Sequence, residues 1–200
     1  MKLSVPVIGI LRGVEPDFFP SLLQASFQAG LQSLEVTMNT LGAPEMIRQN
    51  MHLVPDGCFL GMGTVCSLEE ARVAIDAGAM FLVTPNTDVD VIAYANQHGV
   101  PIVAGALTPT EVYQAWSAGA DMVKVFPCPS PKYIQDLLGP MQDVPLVAVG
   151  GVRQDNLKQF LSAGAVAVGV GNSLFGDKAL SSRDAEMVAQ HISEYLKALN

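Results

Sequence analysis

The stretch SAGADMVKV (117–125) decides the fold. It begins as the end of a helix and turns at Gly119, where a helix C-terminus calls for a left-handed residue. It then runs directly into a short β-branched segment. The same phrase recurs as QAGLQSLEV (28–36), DAGAMFLV (76–83), QHGVPIV (97–103) and SAGAVAVGV (162–170). Each copy carries its own turn glycine: Gly30, Gly78, Gly99 and Gly164. The apolar runs are short and nearly continuous, as in parallel strands buried on both faces.

Working outward, eight such runs lie near 5–10, 33–37, 58–62, 80–84, 101–104, 122–126, 145–149 and 165–169. Segments such as SLEEARVAIDAG and TPTEVYQAWSAG between them have helical periodicity. Glu69, Glu70 and Glu111 fall in first turns, where the helix dipole favours acids. Eight strands alternating with helices predict an α/β chain folded as a (β/α)8 TIM barrel. The rival is an open doubly wound sheet, which rarely needs eight evenly spaced units. With no linker or low-complexity segment, residues 1–200 read as a single domain.

Half of the 200 residues are hydrophobic, enough for a sizeable core, and only 15% are charged. The net charge of −8 argues against nucleic acid and anionic membranes as partners, although one basic pocket for a small anion stays open. Three cysteines (Cys58, Cys66, Cys128) without metal-like spacing point to a reducing cytoplasm. The N-terminal stretch does not read as a signal peptide. No apolar stretch reaches the roughly 20 residues of a membrane helix. His52, His98 and His191 share no spacing that would make a metal set.

In a barrel, the active site lies at the C-terminal strand ends. Of six lysines, only Lys124 lies inside a strand, with Met122 and Phe126 on the same face. An ammonium there is unfavourable unless paired or neutral, and desolvation makes an amine nucleophilic toward a ketone. The alternative is a structural lysine reaching out of the strand end. Glu35 sits mid-strand with Ser33 and Thr37, and Lys124 is its expected partner across the barrel. The pair suits Schiff-base chemistry, with one amine and one proton carrier, or else it is a buried ion pair.

The pairs Gly150-Gly151 and Gly169/Gly171, followed by Asn172 and Ser173, stand after strands seven and eight. Amides there, with a short helix N-terminus, would form a phosphate site, unless the glycines serve only tight turns. Thr64 and the amides near Gly63 could hold a carboxylate, or Thr64 could belong to a turn and N-cap before the next helix. Arg12 ends strand one, which meets strand eight when a barrel closes. That places it beside the phosphate loops, or in a rim salt bridge.

Taken together, ILRG (10–13), LEVTMNT (34–40), GMGTV (61–65), VTPN (83–86), VKVFP (123–127), VGGV (149–152) and GVGNSL (169–174) resemble the family of 2-keto-3-deoxy-6-phosphogluconate (KDPG) and 2-keto-4-hydroxyglutarate (KHG) aldolases. The resemblance runs from Pro6 to about Gly176. It implies a class I lyase with no metal or organic cofactor, usually trimeric. Lys124 would be the Schiff-base lysine and Glu35 the general acid/base. Thr64 would bind the pyruvyl carboxylate, with Pro85 and Phe126 lining the pocket. Gly150, Gly151 and Gly171 would hold phosphate. The family's phosphate-loop serine falls on Asn172, with Ser173 one step later.

Asn39 and Val149 stand where many gluconate-type members carry Arg and Thr. Both resemble the branch acting on the C4 epimer, 2-keto-3-deoxy-6-phosphogalactonate (KDPGal), and releasing pyruvate and D-glyceraldehyde 3-phosphate. A KDPG/KHG aldolase is the second expectation, and a non-catalytic phosphate-ligand barrel or an isomerase the third.

Overall fold

A computed structural model describes residues 3–199. Eight parallel strands close on themselves in sequence order. They are β1 (Val7–Leu11), β2 (Ser33–Thr37), β3 (Phe59–Gly63), β4 (Leu82–Val83), β5 (Ile102–Ala106), β6 (Met122–Val125), β7 (Leu146–Val149) and β8 (Ala167–Val170). The order β1 to β8 with β8 paired back to β1 is the (β/α)8 barrel, not the open sheet.

The strands start and stop within a few residues of the apolar runs. The fourth shrinks most, to two residues, yet hydrogen bonds from Met80 N–H to Leu60 O and from Thr84 N–H to Val103 O continue the pairing on both sides. Gly30, Gly78, Gly99, Gly119 and Gly164 all have φ between 66° and 105°, as the helix-to-strand turn requires.

The outer ring comprises α1 (Phe19–Gln28), α2 (Ala43–Asn50), α3 (Leu68–Asp76), α4 (Val89–Gln97), α5 (Pro109–Ser117), α6 (Pro131–Leu138) and α7 (Leu157–Ser162). After β8 come the short α8 (Asn172–Phe175), α9 (Asp177–Ser182) and α10 (Ala185–Lys197). Local chemistry sets the starts. Ser67 accepts from the Glu70 amide at α3, and Thr108 and Glu111 form a capping box at α5. No helix among the described residues is long and apolar enough to cross a membrane.

There are two apolar cores. One fills the shell between strands and helices, built on residues such as Phe19, Leu34, Leu60 and Ile92. The other lies inside the barrel and includes Ile8, Phe81, Val83, Val103, Val147 and Val149. The period-2 alternation sends the remaining inward positions to Ser33, Glu35 and Thr37 on β2, Lys124 on β6, and Gly61, Gly63, Gly105 and Gly169.

The inward glycines create room. A methyl at Gly63 would overlap the Glu35 carboxylate, and one at Gly61 would come 2.6 Å from the Phe81 ring. One at Gly169 would sit 2.7 Å from Val149 Cγ2. Gly63→Ala should therefore force Glu35 out of place at an overpacking penalty of about 1–3 kcal/mol. Each kcal/mol lowers Tm by roughly 2–4 °C in a chain of this size. An unchanged Tm by calorimetry would show that Glu35 can move aside freely.

Candidate active site

Glu35 and Lys124 are the two buried charged residues among those described, at 1% and 6% exposure. Strand register fixes both. Glu35 lies between Ile10 on β1 and Gly61 on β3, and Lys124 between Gly105 on β5 and Val147 on β7. Glycine beside each opens the interior that large side chains would otherwise fill. The expected pairing takes an indirect form. Among the described residues no hydrogen bond, and no ion pair within 4 Å, joins the two. Instead they flank a cavity of about 10 Å³, walled by Ile8, Ile10, Val83, Val103, Val147, Val149 and Gly169. That is about the space one water requires.

This separation matters electrostatically. Burial pushes the Glu35 carboxyl above the usual carboxylate range, while the Lys124 and Arg12 charges pull it back only in part. Burial lowers the Lys124 ammonium below the usual lysine range. Glu35 opposes that shift, Arg12 adds to it, and Cys66 opposes it weakly. Both groups are thus moved toward their neutral forms. Lys124 Nζ also lies 5.0 Å from the centre of the half-exposed Phe126 ring, which forms one wall above it.

Over this well opens a larger cavity of about 570 Å³. Gly150, Gly151, Gly169, Gly171, Asn172 and Ser173 line it together with Arg12, Phe126, Val149 and Arg153. Gly150 and Gly151 have φ of 109° and 68°, a conformation that side-chain-bearing residues rarely adopt. The two glycines thus form a tight turn that also lines the cavity. The short helix α8 starts at Asn172 without a side-chain cap. Val149 borders both the deep well and the upper cavity.

Arg12 is exposed at the end of β1, next to β8, with no carboxylate in ion-pair range among the described residues. The rim salt bridge falls to Arg183 instead, which pairs with Glu15 and Asp17. The loop behind Arg12 is tied down. The Gly13 amide donates to Thr40 Oγ1 at 2.9 Å, and Thr40 Oγ1 lies 3.0 Å from Thr37 Oγ1 on β2.

Thr64 follows β3 with φ of 56°, unusual for a β-branched residue and held at about 1–3 kcal/mol of strain. It is not the helix cap, because Ser67 takes that role. Pro85 follows β4, and its carbonyl region and the Asn86 amide press on Gly105. Pro85 and Thr64 do not line the two cavities, whereas the other residues singled out from the sequence do. Arg153, Ile10 and Gly105 are site-forming residues that sequence reasoning missed. A second arginine directly behind the Gly-Gly turn was the available signal for Arg153.

A desolvated amine and carboxylate beneath a glycine-walled, arginine-edged cavity define a site for covalent amine chemistry on a small anion. The chain belongs to the family described as KDPG and KHG aldolase, whose pattern matches residues 3–191. It is 32% identical over 201 residues to 2-dehydro-3-deoxy-6-phosphogalactonate aldolase of Escherichia coli strain K12, covering 99% of this chain and 98% of that one. It is 33% identical over 187 residues to 2-dehydro-3-deoxy-phosphogluconate aldolase of Treponema pallidum strain Nichols, covering 92% and 87%. A solved structure described as native KDPGal superposes with a TM-score of 0.92 at 31% identity, covering 100% of this chain and 96% of that chain.

Linkage gives these shifts a sign. The raised folded pKa of Glu35 contributes stability that is full below the ordinary carboxylate range and lost as pH rises through the raised value. The lowered folded pKa of Lys124 is a penalty that is full below that value and relieved as pH rises toward the ordinary lysine range. At neutral pH both groups therefore work against the fold. The double substitution Glu35→Gln/Lys124→Met should raise Tm by a few degrees, since apolar or neutral replacements of buried charge pairs are often stabilising by about 1–4 kcal/mol. A clear drop in the Tm of the double variant would mean the pair holds the barrel together.

Proposed function

We propose that this chain is a class I (Schiff-base) aldolase that cleaves 2-keto-3-deoxy-6-phosphogalactonate to pyruvate and D-glyceraldehyde 3-phosphate. The observation that carries the reading is the placement of Lys124 and Glu35. They are inward-facing, buried and separated across a one-water well, directly beneath the glycine-walled cavity. An isomerase or a passive binder gains nothing from a buried, unpaired lysine that weakens the fold.

In the proposed sequence, the neutral Lys124 amine attacks the C2 ketone. Glu35, whose burial favours the protonated carboxyl, carries protons through carbinolamine formation and dehydration. The resulting iminium is the electron sink. Glu35 takes the C4 hydroxyl proton, directly or through the water space, and the C3–C4 bond breaks. The aldehyde product carrying the phosphate leaves, and the pyruvate enamine is protonated and hydrolysed. The family likeness, and not the cavity lining, gives Thr64 at the β3 end the pyruvyl carboxylate and Pro85 a place in the pocket wall. The amides around Gly150, Gly151, Gly171, Asn172 and Ser173, with Arg12, receive the phosphate.

The galactonate preference is supported by Val149 and by the likeness to the E. coli enzyme named for that substrate. Val149 is 7% exposed and borders both cavities, so its methyls meet the middle carbons of a substrate spanning them. A threonine there could hydrogen-bond a C4 hydroxyl, and valine cannot. The KDPG/KHG alternative keeps its support from the Treponema relative.

We extend the reading to a cytoplasmic homotrimer, the usual state in this family. Cys58, Cys66 and Cys128 are unpaired, and Leu41, Tyr113 and Trp116 offer exposed apolar surface. Light scattering should give three times the 21.2 kDa chain mass.

Two kinetic comparisons test the function. Lys124→Ala should abolish cleavage of both epimers with the fold intact, and Glu35→Gln should slow turnover by roughly 10²–10⁴ while pyruvate still binds. Near-wild-type turnover in either would remove that residue from the chemistry. In the second, Val149→Thr should move the KDPG/KDPGal ratio of kcat/KM toward KDPG by about 2- to 12-fold, the scale of one gained hydroxyl bond. A wild type that strongly prefers KDPG, or a ratio that does not move, would remove the galactonate assignment.

A further inference from the structure

Arg153 follows the Gly-Gly turn of β7 and lines the glycine-walled cavity together with Gly150, Gly151, Asn172 and Ser173. Its backbone and its side chain are held very differently. The Arg153 amide donates to Asn156 Oδ1 at 2.8 Å, and Asn156 Nδ2 donates to Gly151 O at 3.0 Å. One asparagine thus fixes the arginine's backbone to the glycine loop. The guanidinium is turned away onto Asp155, with Nε to Oδ1 at 3.1 Å and Nη2 to Oδ2 at 3.3 Å. That pair is exposed, at 61% and 70%. Solvent-exposed ion pairs of this kind are weak and readily exchanged.

A second observation lies on the far side of the pair. Arg153, Asp155, Ser173 and Tyr195 line a neighbouring cavity. The Tyr195 side chain borders this cavity, and its hydroxyl is the one buried side-chain N or O atom without a hydrogen-bond partner among the described residues. A buried orphan donor is unfavourable and gains from any acceptor that becomes free. Burial pushes the Tyr195 hydroxyl's ionisation up, the Asp155 charge adds to that and the Arg153 charge opposes it, so both members of the ion pair are felt at the hydroxyl.

We propose that Arg153 is a phosphate-binding residue of this site, held in reserve by Asp155 until the substrate's phosphate enters the glycine loop. The guanidinium then rotates about its fixed backbone from the Asp155 carboxylate to the phosphate oxygens, a stronger charge-assisted and bidentate contact. The released carboxylate accepts from the Tyr195 hydroxyl. No bond is made or broken. The chain exchanges one weak ion pair and one orphan donor for a phosphate contact and a satisfied hydroxyl.

The proposal rests on the glycine loop being the phosphate site, so the test separates the two. The readouts are the inhibition constant of inorganic phosphate and the KM and kcat for the phosphorylated keto acid, with pyruvate trapping by borohydride as the control. If phosphate fails to compete in the wild type, the loop reading itself is wrong and the proposal falls with it. If it competes, Arg153→Gln should weaken phosphate and raise KM by about 3- to 10-fold, leaving kcat and pyruvate trapping unchanged. Asp155→Asn should act in the opposite direction, tightening phosphate by about 2-fold, because the arginine is no longer held back. Tyr195→Phe should weaken phosphate by less than Arg153→Gln. Unchanged phosphate inhibition in Arg153→Gln, or weaker inhibition in Asp155→Asn, overturns the proposal. An unchanged value in Tyr195→Phe overturns the hydroxyl's part in the exchange.

Discussion

A barrel interior of this size is filled by side chains, and here two of them carry charge with no direct partner. Transfer of a charged group from water into apolar surroundings is severely unfavourable, and the group answers by shifting toward neutrality. Glu35 and Lys124 are held apart by the register of β2 and β6, so neither can relieve the other through contact. Much else in the interior follows from that arrangement. Glycine replaces a side chain at Gly63 because Glu35 occupies the space, and at Gly61, Gly105 and Gly169 because neighbouring groups do. The apolar ring of Ile8, Val83, Val103 and Val147 keeps the local dielectric low, which moves the lysine toward its amine form and the glutamate toward its protonated form.

The rim supplies the opposite environment. Gly150, Gly151, Gly171, Arg12 and Arg153 border a solvent-reached cavity rather than an apolar well. Despite a net charge of −8, two of the chain's eleven cationic side chains, Arg12 and Arg153, border this cavity. Arg12 also acts inward, since its charge favours a neutral Lys124.

The fold was legible because it repeats. The junctions at Gly30, Gly78, Gly99, Gly119 and Gly164 announce themselves with a left-handed glycine, and the strands are largely buried on both faces. Lys124 and Glu35 were legible for the reverse reason, as charges in segments that otherwise read as core. β4 was overextended from sequence, because the apolar character of residues 80–84 persists where regular pairing is limited to Leu82–Val83. The separation of the two charges was not legible, since sequence gives the face a residue shares but not the distance across a barrel. Nor was the tie from Thr37 through Thr40 to Gly13, which links residues from different loops. Arg153 escaped notice because a loop arginine on an acidic surface looks solvent-facing until the cavity beside it is seen.

The central claim is that burial, and not an adjacent base, makes Lys124 nucleophilic. The most direct measurement is the rate of borohydride-dependent labelling by pyruvate as a function of pH, in the wild type and in Glu35→Gln. The account predicts a rise with pH governed by an ionisation below the ordinary lysine range. In Glu35→Gln that ionisation should fall further, because the negative charge favouring the ammonium is gone. An ionisation in the ordinary lysine range, or one that moves upward in Glu35→Gln, would contradict it.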